Sequence, residues 1–118
     1  MNRAPEKKSL SSIPLEDAHG GSGQRQLIFS KSEPYVSRQF EAMTKGFLPA
    51  TAAYDWHHHD GVDEFFFVVF GTGIVEYADG TRFDYAADDF FYNPSGLEHR
   101  IENTGSETSI FYFIRIKD

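Results

Sequence analysis

The stretch 57-HHHDGVDEFFFVVFG-71 decides how this chain is read. It sets His57, His59 and Glu64 on a short segment and runs straight into the most apolar run in the sequence, Phe65 to Phe70. Side chains alternate across a strand, so His57 and His59 share one side and His58 takes the other. Asp60-Gly61 supplies a tight turn, after which Glu64 enters the next strand. Two imidazoles and a carboxylate converging from one face are a way to build three ligands of a metal site, suited to iron, manganese, nickel, zinc or copper. A fourth candidate, His99, follows in Pro94-Ser95-Gly96-Leu97-Glu98-His99.

Outward from this stretch the chain breaks into short apolar runs separated by turn signals. Strands are predicted over Arg25–Lys31, Val36–Phe47, Ala52–His59, Glu64–Phe70, Ile74–Tyr77, Arg82–Tyr85, Phe90–Asn93, His99–Asn103 and Ser109–Ile116. Asp79-Gly80 marks the clearest hairpin, because Asp-Gly favours the type I′ turn that matches strand twist. Many short strands at this spacing indicate an all-β sandwich or barrel, with no helix of ordinary length required. Residues 1–24 carry no sustained period and contain His19-Gly20-Gly21-Ser22-Gly23, so they read as a flexible tail, with His19 solvated, ahead of a β-domain over 25–118.

Composition narrows the function. The chain has 118 residues, one domain's worth, and 18 acidic against 11 basic side chains, a net charge of −7. That balance, without a basic stripe, argues against a nucleic-acid footprint. There is no cysteine, so any metal must be held by nitrogen and oxygen. No apolar run reaches the roughly 18 residues that span a bilayer, and no secretory h-region is visible, so a soluble cytoplasmic protein is expected.

Two spacings carry a resemblance. His57-x-His59-x4-Glu64-x6-Gly71 resembles the first cupin motif, and Pro94-x-Gly96-x2-His99-x3-Asn103 resembles the second. The resemblance covers roughly Phe40 to Ile116. It implies a small double-stranded β-helix, or jelly-roll barrel, with one divalent metal inside, held by His57, His59, Glu64 and His99. Iron comes first among the metals implied, with manganese, nickel, zinc or copper as alternatives. Two glycines that usually open these motifs are replaced, by Thr51 and by Asp88. Asp tolerates a left-handed turn at modest cost, whereas Thr51 is harder to accommodate.

The resemblance fixes a fold and leaves the reaction open. The leading expectation is a metal-dependent enzyme on a small organic substrate, an oxidoreductase of the non-haem iron dioxygenase type. One alternative is an isomerase, lyase or cyclase using the metal as a Lewis acid, and another is a non-catalytic sugar- or metabolite-binding module. Tyr54 and Tyr92 are candidates to orient or protonate substrate. Asp55 is a candidate to fix an imidazole tautomer, and Arg38, Arg82 and Arg115 could each meet a substrate carboxylate, with a surface role the default. Phe66, Val68, Phe70, Phe90, Tyr92, Ile101 and Ile114 are expected to line the pocket. Phe65, Phe67, Val69, Phe111 and Phe113 are expected to face outward, supplying apolar surface for the homodimer that the resemblance implies.

Overall fold

The computed structural model describes residues 3–118. Ten strands run in the order β1 (Glu16–Ala18), β2 (Gly23–Ser30), β3 (Phe40–Leu48), β4 (Ala53–His57), β5 (Val62–Phe70), β6 (Gly73–Tyr77), β7 (Arg82–Tyr85), β8 (Phe90–Asn93), β9 (His99–Asn103) and β10 (Ser109–Lys117). They form two antiparallel sheets, β1-β2-β3-β10-β5-β8 and β4-β9-β6-β7. The architecture is an all-β jelly roll. Its only helical pieces among the described residues are two single 3-10 turns, Leu10–Ser12 and His19–Gly21. None is long and apolar enough to cross a membrane.

The inward positions of the two sheets meet in one core. Tyr54, Phe66, Val68, Val75, Ile101 and Phe111 are each 2% exposed or less. Phe66 stacks on Phe91 at 4.7 Å between centroids, and Phe111 packs edge-on against Tyr85 at 5.2 Å. Such aromatic pairs add about 0.5–1.5 kcal/mol beyond their buried area.

Several strand faces differ from the sequence reading. On β10, Phe113 pairs with Phe66 and Ile114 with Phe65, so Phe111 and Phe113 point inward and Ile114 outward. On β8, Phe91 pairs with Phe66, so Phe90 and Tyr92 lie on the outer face, 75% and 50% exposed. Both strands are apolar on both faces, and alternation then carries no parity signal. A register shift opposite Val69 turns Phe70 out to solvent. The outer aromatics form a band across the larger sheet: Phe67 stacks on Phe90 at 5.2 Å and on Tyr112 at 5.3 Å, and Phe65 meets Tyr92 at 5.2 Å.

The N-terminal segment is also not the free tail that its composition suggests. Strand β1 pairs with β2, Glu16 opposite Arg25. The side-chain amide of Gln26 donates to the carbonyls of Leu10 and Ile13, both at 3.0 Å, and Lys8 pairs with Glu33 and the Ile28 carbonyl. Gly-rich composition concealed this because the pairing uses backbone groups and a few polar side chains rather than an apolar stripe. Met1 and Asn2 lie outside the described residues.

Thr51 and Asp88 keep the backbone that the replaced glycines would take, with φ of 65° and 72°. Left-handed backbone costs a residue with a Cβ about 1–2 kcal/mol, and a β-branched side chain fits it worst. Thr51→Gly is therefore expected to raise unfolding stability by about 1 kcal/mol, the relief exceeding glycine's extra unfolded-state entropy. Urea denaturation at equilibrium checks this, since a lower midpoint would mean that the Thr51 side chain contributes packing beyond its strain.

Candidate metal centre

Strand register assembles the centre. Across the smaller sheet, His57 on β4 stands opposite His99 on β9, and His99 opposite Tyr77 on β6. Across the larger sheet, Arg115 on β10 stands opposite Glu64 on β5, and Glu64 opposite Asn93 on β8. Directly paired residues in antiparallel strands carry their side chains on one face. The two rows therefore face each other across the barrel interior. His59 joins them from the β4–β5 connection, which Gly96 pins by donating its N–H to the His59 carbonyl at 3.0 Å.

The ligand atoms of His57, His59 and His99 lie within 4.8 Å of one another. The buried Glu64 carboxylate completes the group, with Oε2 3.4 Å from His59 Nε2 and Oε1 3.4 Å from His99 Nε2. Those two imidazole nitrogens are buried and have no hydrogen-bond partner among the described residues. Orphaned buried polar atoms are costly, and two of them aimed at one ionised carboxylate fit a cation between them. On two of the three rings the other nitrogen is occupied: His57 Nδ1 donates to the Asp55 carbonyl at 2.6 Å and His99 Nδ1 to the Leu97 carbonyl at 3.3 Å. These bonds fix the tautomers that leave Nε2 free to ligate. The donor set, three imidazoles and a carboxylate, is consistent with one divalent metal ion.

Electrostatics agree with that assignment. Burial lowers the His57 pKa to about 4, so its imidazole is neutral from mildly acidic pH upward. Burial alone would raise the Glu64 carboxyl, but the His59 and His99 imidazoles outweigh it and hold the group well below the usual carboxylate range. Glu64 is thus an anion in a dry site, the form that a metal requires.

Above the centre opens a pocket of about 280 Å³. His57, Glu64, Tyr54, Ile101 and Phe113 line its inner part, and Asp17, Ala18 and His19 from the N-terminal segment wall its mouth. His19 packs against His57 at 4.5 Å and Tyr54 at 4.6 Å between ring centroids. His19 is exposed, as the sequence reading expects, yet it stands at the pocket against His57 and Tyr54, which the Gly-rich segment does not signal.

Two arginines reach this pocket, Arg25 and Arg115. Arg25 is neutralised by Glu16 at 2.7 Å, whereas Arg115 has no ion pair among the described residues. Arg38 lines a separate surface groove and Arg82 is exposed on β7, so neither approaches the centre.

The remaining candidates divide. Tyr54 is 2% exposed in the pocket wall, and burial pushes its phenol pKa far up, so it keeps its proton. Tyr92 lies outside the pocket and donates to Asp63 at 3.2 Å. Of the expected lining, Ile101 borders the pocket, Phe66 and Val68 are core, and Phe70, Phe90, Tyr92 and Ile114 sit elsewhere. A register shift in β4 between Tyr54 and His57 reverses parity there. It turns Tyr54 inward and sends the Asp55 carboxylate out to Arg100, so Asp55 supports His57 by its carbonyl rather than its side chain. His58 is exposed and pairs with Asp60.

Comparison with known proteins agrees with this geometry. An oxalate-binding protein of Thermotoga maritima is 25% identical over 92 residues, 78% of this chain and 75% of that protein. A crystal structure from Thermotoga maritima described as a predicted oxalate decarboxylase superimposes with a TM-score of 0.77 at 25% identity, covering 92% of this chain and 96% of that one. The cupin domain of Cnp3 from Schizosaccharomyces pombe gives 0.77 at 25% identity, covering 95% and 74%. A cupin-domain family model matches residues 46–115, more than half of the sequence and both motifs, and the chain belongs to the cupin family.

Proposed function

We propose that this chain is a metal-dependent enzyme acting on a small carboxylate, with His57, His59, Glu64 and His99 holding the metal and Arg115 anchoring the acid. The observation that carries this reading is Arg115, an arginine without an ion pair among the described residues, lining the pocket opposite the Glu64 position. A guanidinium in a half-buried pocket takes a carboxylate through paired, charge-assisted hydrogen bonds. The pocket, about 280 Å³, lies at the small end for ligand sites and suits an acid of a few carbons. The resemblance to an oxalate-binding protein supports the same substrate class.

A bound metal supplies Lewis acidity and, as iron, access to oxidation by O2. The chain's own residues hold and shape. Arg115 orients the carboxylate, Tyr54 offers a protonated hydroxyl, and Ile101 and Phe113 limit water. Because burial keeps Tyr54 protonated, it can donate a hydrogen bond but does not act as a base. The chemistry proposed is dioxygenase-type oxidation with iron as the metal, in which Tyr54 serves as a hydrogen-bond donor. The test is calorimetric titration of metal-loaded protein with oxalate and longer acids, followed by an oxygen electrode with iron-loaded protein. Binding of short acids with oxygen uptake is the expected result. Binding without uptake under any metal leaves the Lewis-acid enzyme or the binding module, which analysis of the bound acid for conversion separates, and no binding overturns the proposal.

The outer aromatic band supports a homodimer. Phe65, Phe90 and Tyr92 are 46%, 75% and 50% exposed around Phe67, an apolar surface that a second copy would cover. Phe67→Asp is expected to give a monomer in sedimentation velocity, and unchanged mass would exclude this face.

A further inference from the structure

The Glu64 carboxylate has a partner that the metal reading does not use. Asn93 donates its Nδ2 to Glu64 Oε1 at 3.0 Å, and its own Oδ1 accepts from the Tyr77 hydroxyl at 2.5 Å. All three side chains are buried, at 4% exposure for Glu64, 1% for Asn93 and 5% for Tyr77. The chain Tyr77–Asn93–Glu64 crosses between the sheets. It starts beside His99, which Tyr77 faces in register, and ends on Glu64, which Asn93 faces in register.

We infer that Asn93 and Tyr77 are positioning residues that fix the orientation of the Glu64 carboxylate for the metal. The inference rests on the metal reading above and goes beyond it. A glutamate has three rotatable bonds, and burial alone does not select the direction in which its oxygens point. Asn93 engages Oε1 and so leaves Oε2 as the oxygen without a hydrogen bond, facing His59 Nε2 at 3.4 Å. A carboxylate only accepts, so the amide must turn Nδ2 toward Glu64 and Oδ1 away. Oδ1 then needs a donor, which is Tyr77. Burial and the Glu64 charge push the Tyr77 phenol up to about 12, so the hydroxyl keeps the proton it donates. The arrangement is directional throughout: reversing the amide would set oxygen against oxygen at Glu64. Partners of this kind around ligating groups typically change metal affinity about 10- to 100-fold.

The test compares wild type with Tyr77→Phe and with the double variant Tyr77→Phe/Asn93→Leu. The double variant removes the Tyr77 donor and the Asn93 acceptor together at nearly constant shape, so its cost to folding comes from the Glu64 oxygen that loses its donor. Cobalt(II) serves as the probe, with its dissociation constant measured by chelator competition and its visible absorption band recorded. The double variant is expected to fold with a lowered melting temperature, to bind cobalt about 10- to 100-fold more weakly, and to show an altered band. Tyr77→Phe is expected to move both readouts in the same direction by less. A folded double variant with the wild-type constant and band overturns the inference. If the double variant does not fold, Tyr77→Phe decides, and unchanged readouts overturn it. Wild type that binds no cobalt overturns the metal reading itself, and this inference with it.

Discussion

Replacing His57 and His59 together by alanine is expected to abolish stoichiometric metal binding while leaving the barrel folded. The imidazoles stand at the end of β4 and in the following connection, and neither is a member of the core built on Phe66, Phe111 and Ile101. The double substitution removes two of the three imidazoles whose ligand atoms converge within 4.8 Å. It leaves Glu64 and His99, a pair too few to retain a divalent ion against buffer and chelator. The fold is expected to survive because neither ring belongs to the apolar core. Elemental analysis of the purified variant, with circular dichroism for folding, checks both halves. Metal retained at the wild-type ratio would place the site elsewhere.

The second large effect concerns the substrate. Arg115→Ala is expected to leave metal content unchanged and to weaken binding of a short carboxylate about 10- to 100-fold, the equivalent of about 1.5–3 kcal/mol for a charge-assisted pair. Arg115→Lys is expected to recover part of the loss, because an ammonium supplies the charge without the planar fork. Arg82→Ala, on the exposed strand β7, serves as the control and is expected to bind as wild type. Calorimetric titration of metal-loaded protein measures all three. Equal affinity in wild type and Arg115→Ala would remove the carboxylate anchor and with it the main support for an acidic substrate.

How much of this was legible in the sequence differs by residue. The jelly roll was, because turn signals such as Asp79-Gly80 and the two motifs mark strand ends independently of which face is buried. So was the meeting of His57, His59, Glu64 and His99, which are brought together in the barrel. Strand parity failed where both faces are apolar: Phe111 and Phe113 are inward on β10, and Phe90 and Tyr92 outward on β8, for reasons visible only in the pairing. The Asp55 carboxylate turned outward because a register shift inside β4 cannot be read from alternation. His19 and Arg25 reach the pocket through the pairing of β1 with β2, a short hairpin whose strand β1 has no apolar alternation to advertise it. Arg115 could be separated from Arg38 and Arg82 only once β10 was seen to place it opposite Glu64. The Tyr77–Asn93–Glu64 chain joins three strands and had no local signal at all.

The central claim is that these side chains form a metal centre, and elemental analysis of anaerobically purified, tag-free protein tests it most directly. The account predicts about one divalent metal per chain, which a set of three imidazoles and one carboxylate fits, with iron as the metal proposed. Protein that carries no metal, and takes up none when iron, manganese, nickel, zinc, copper or cobalt is supplied, would contradict it.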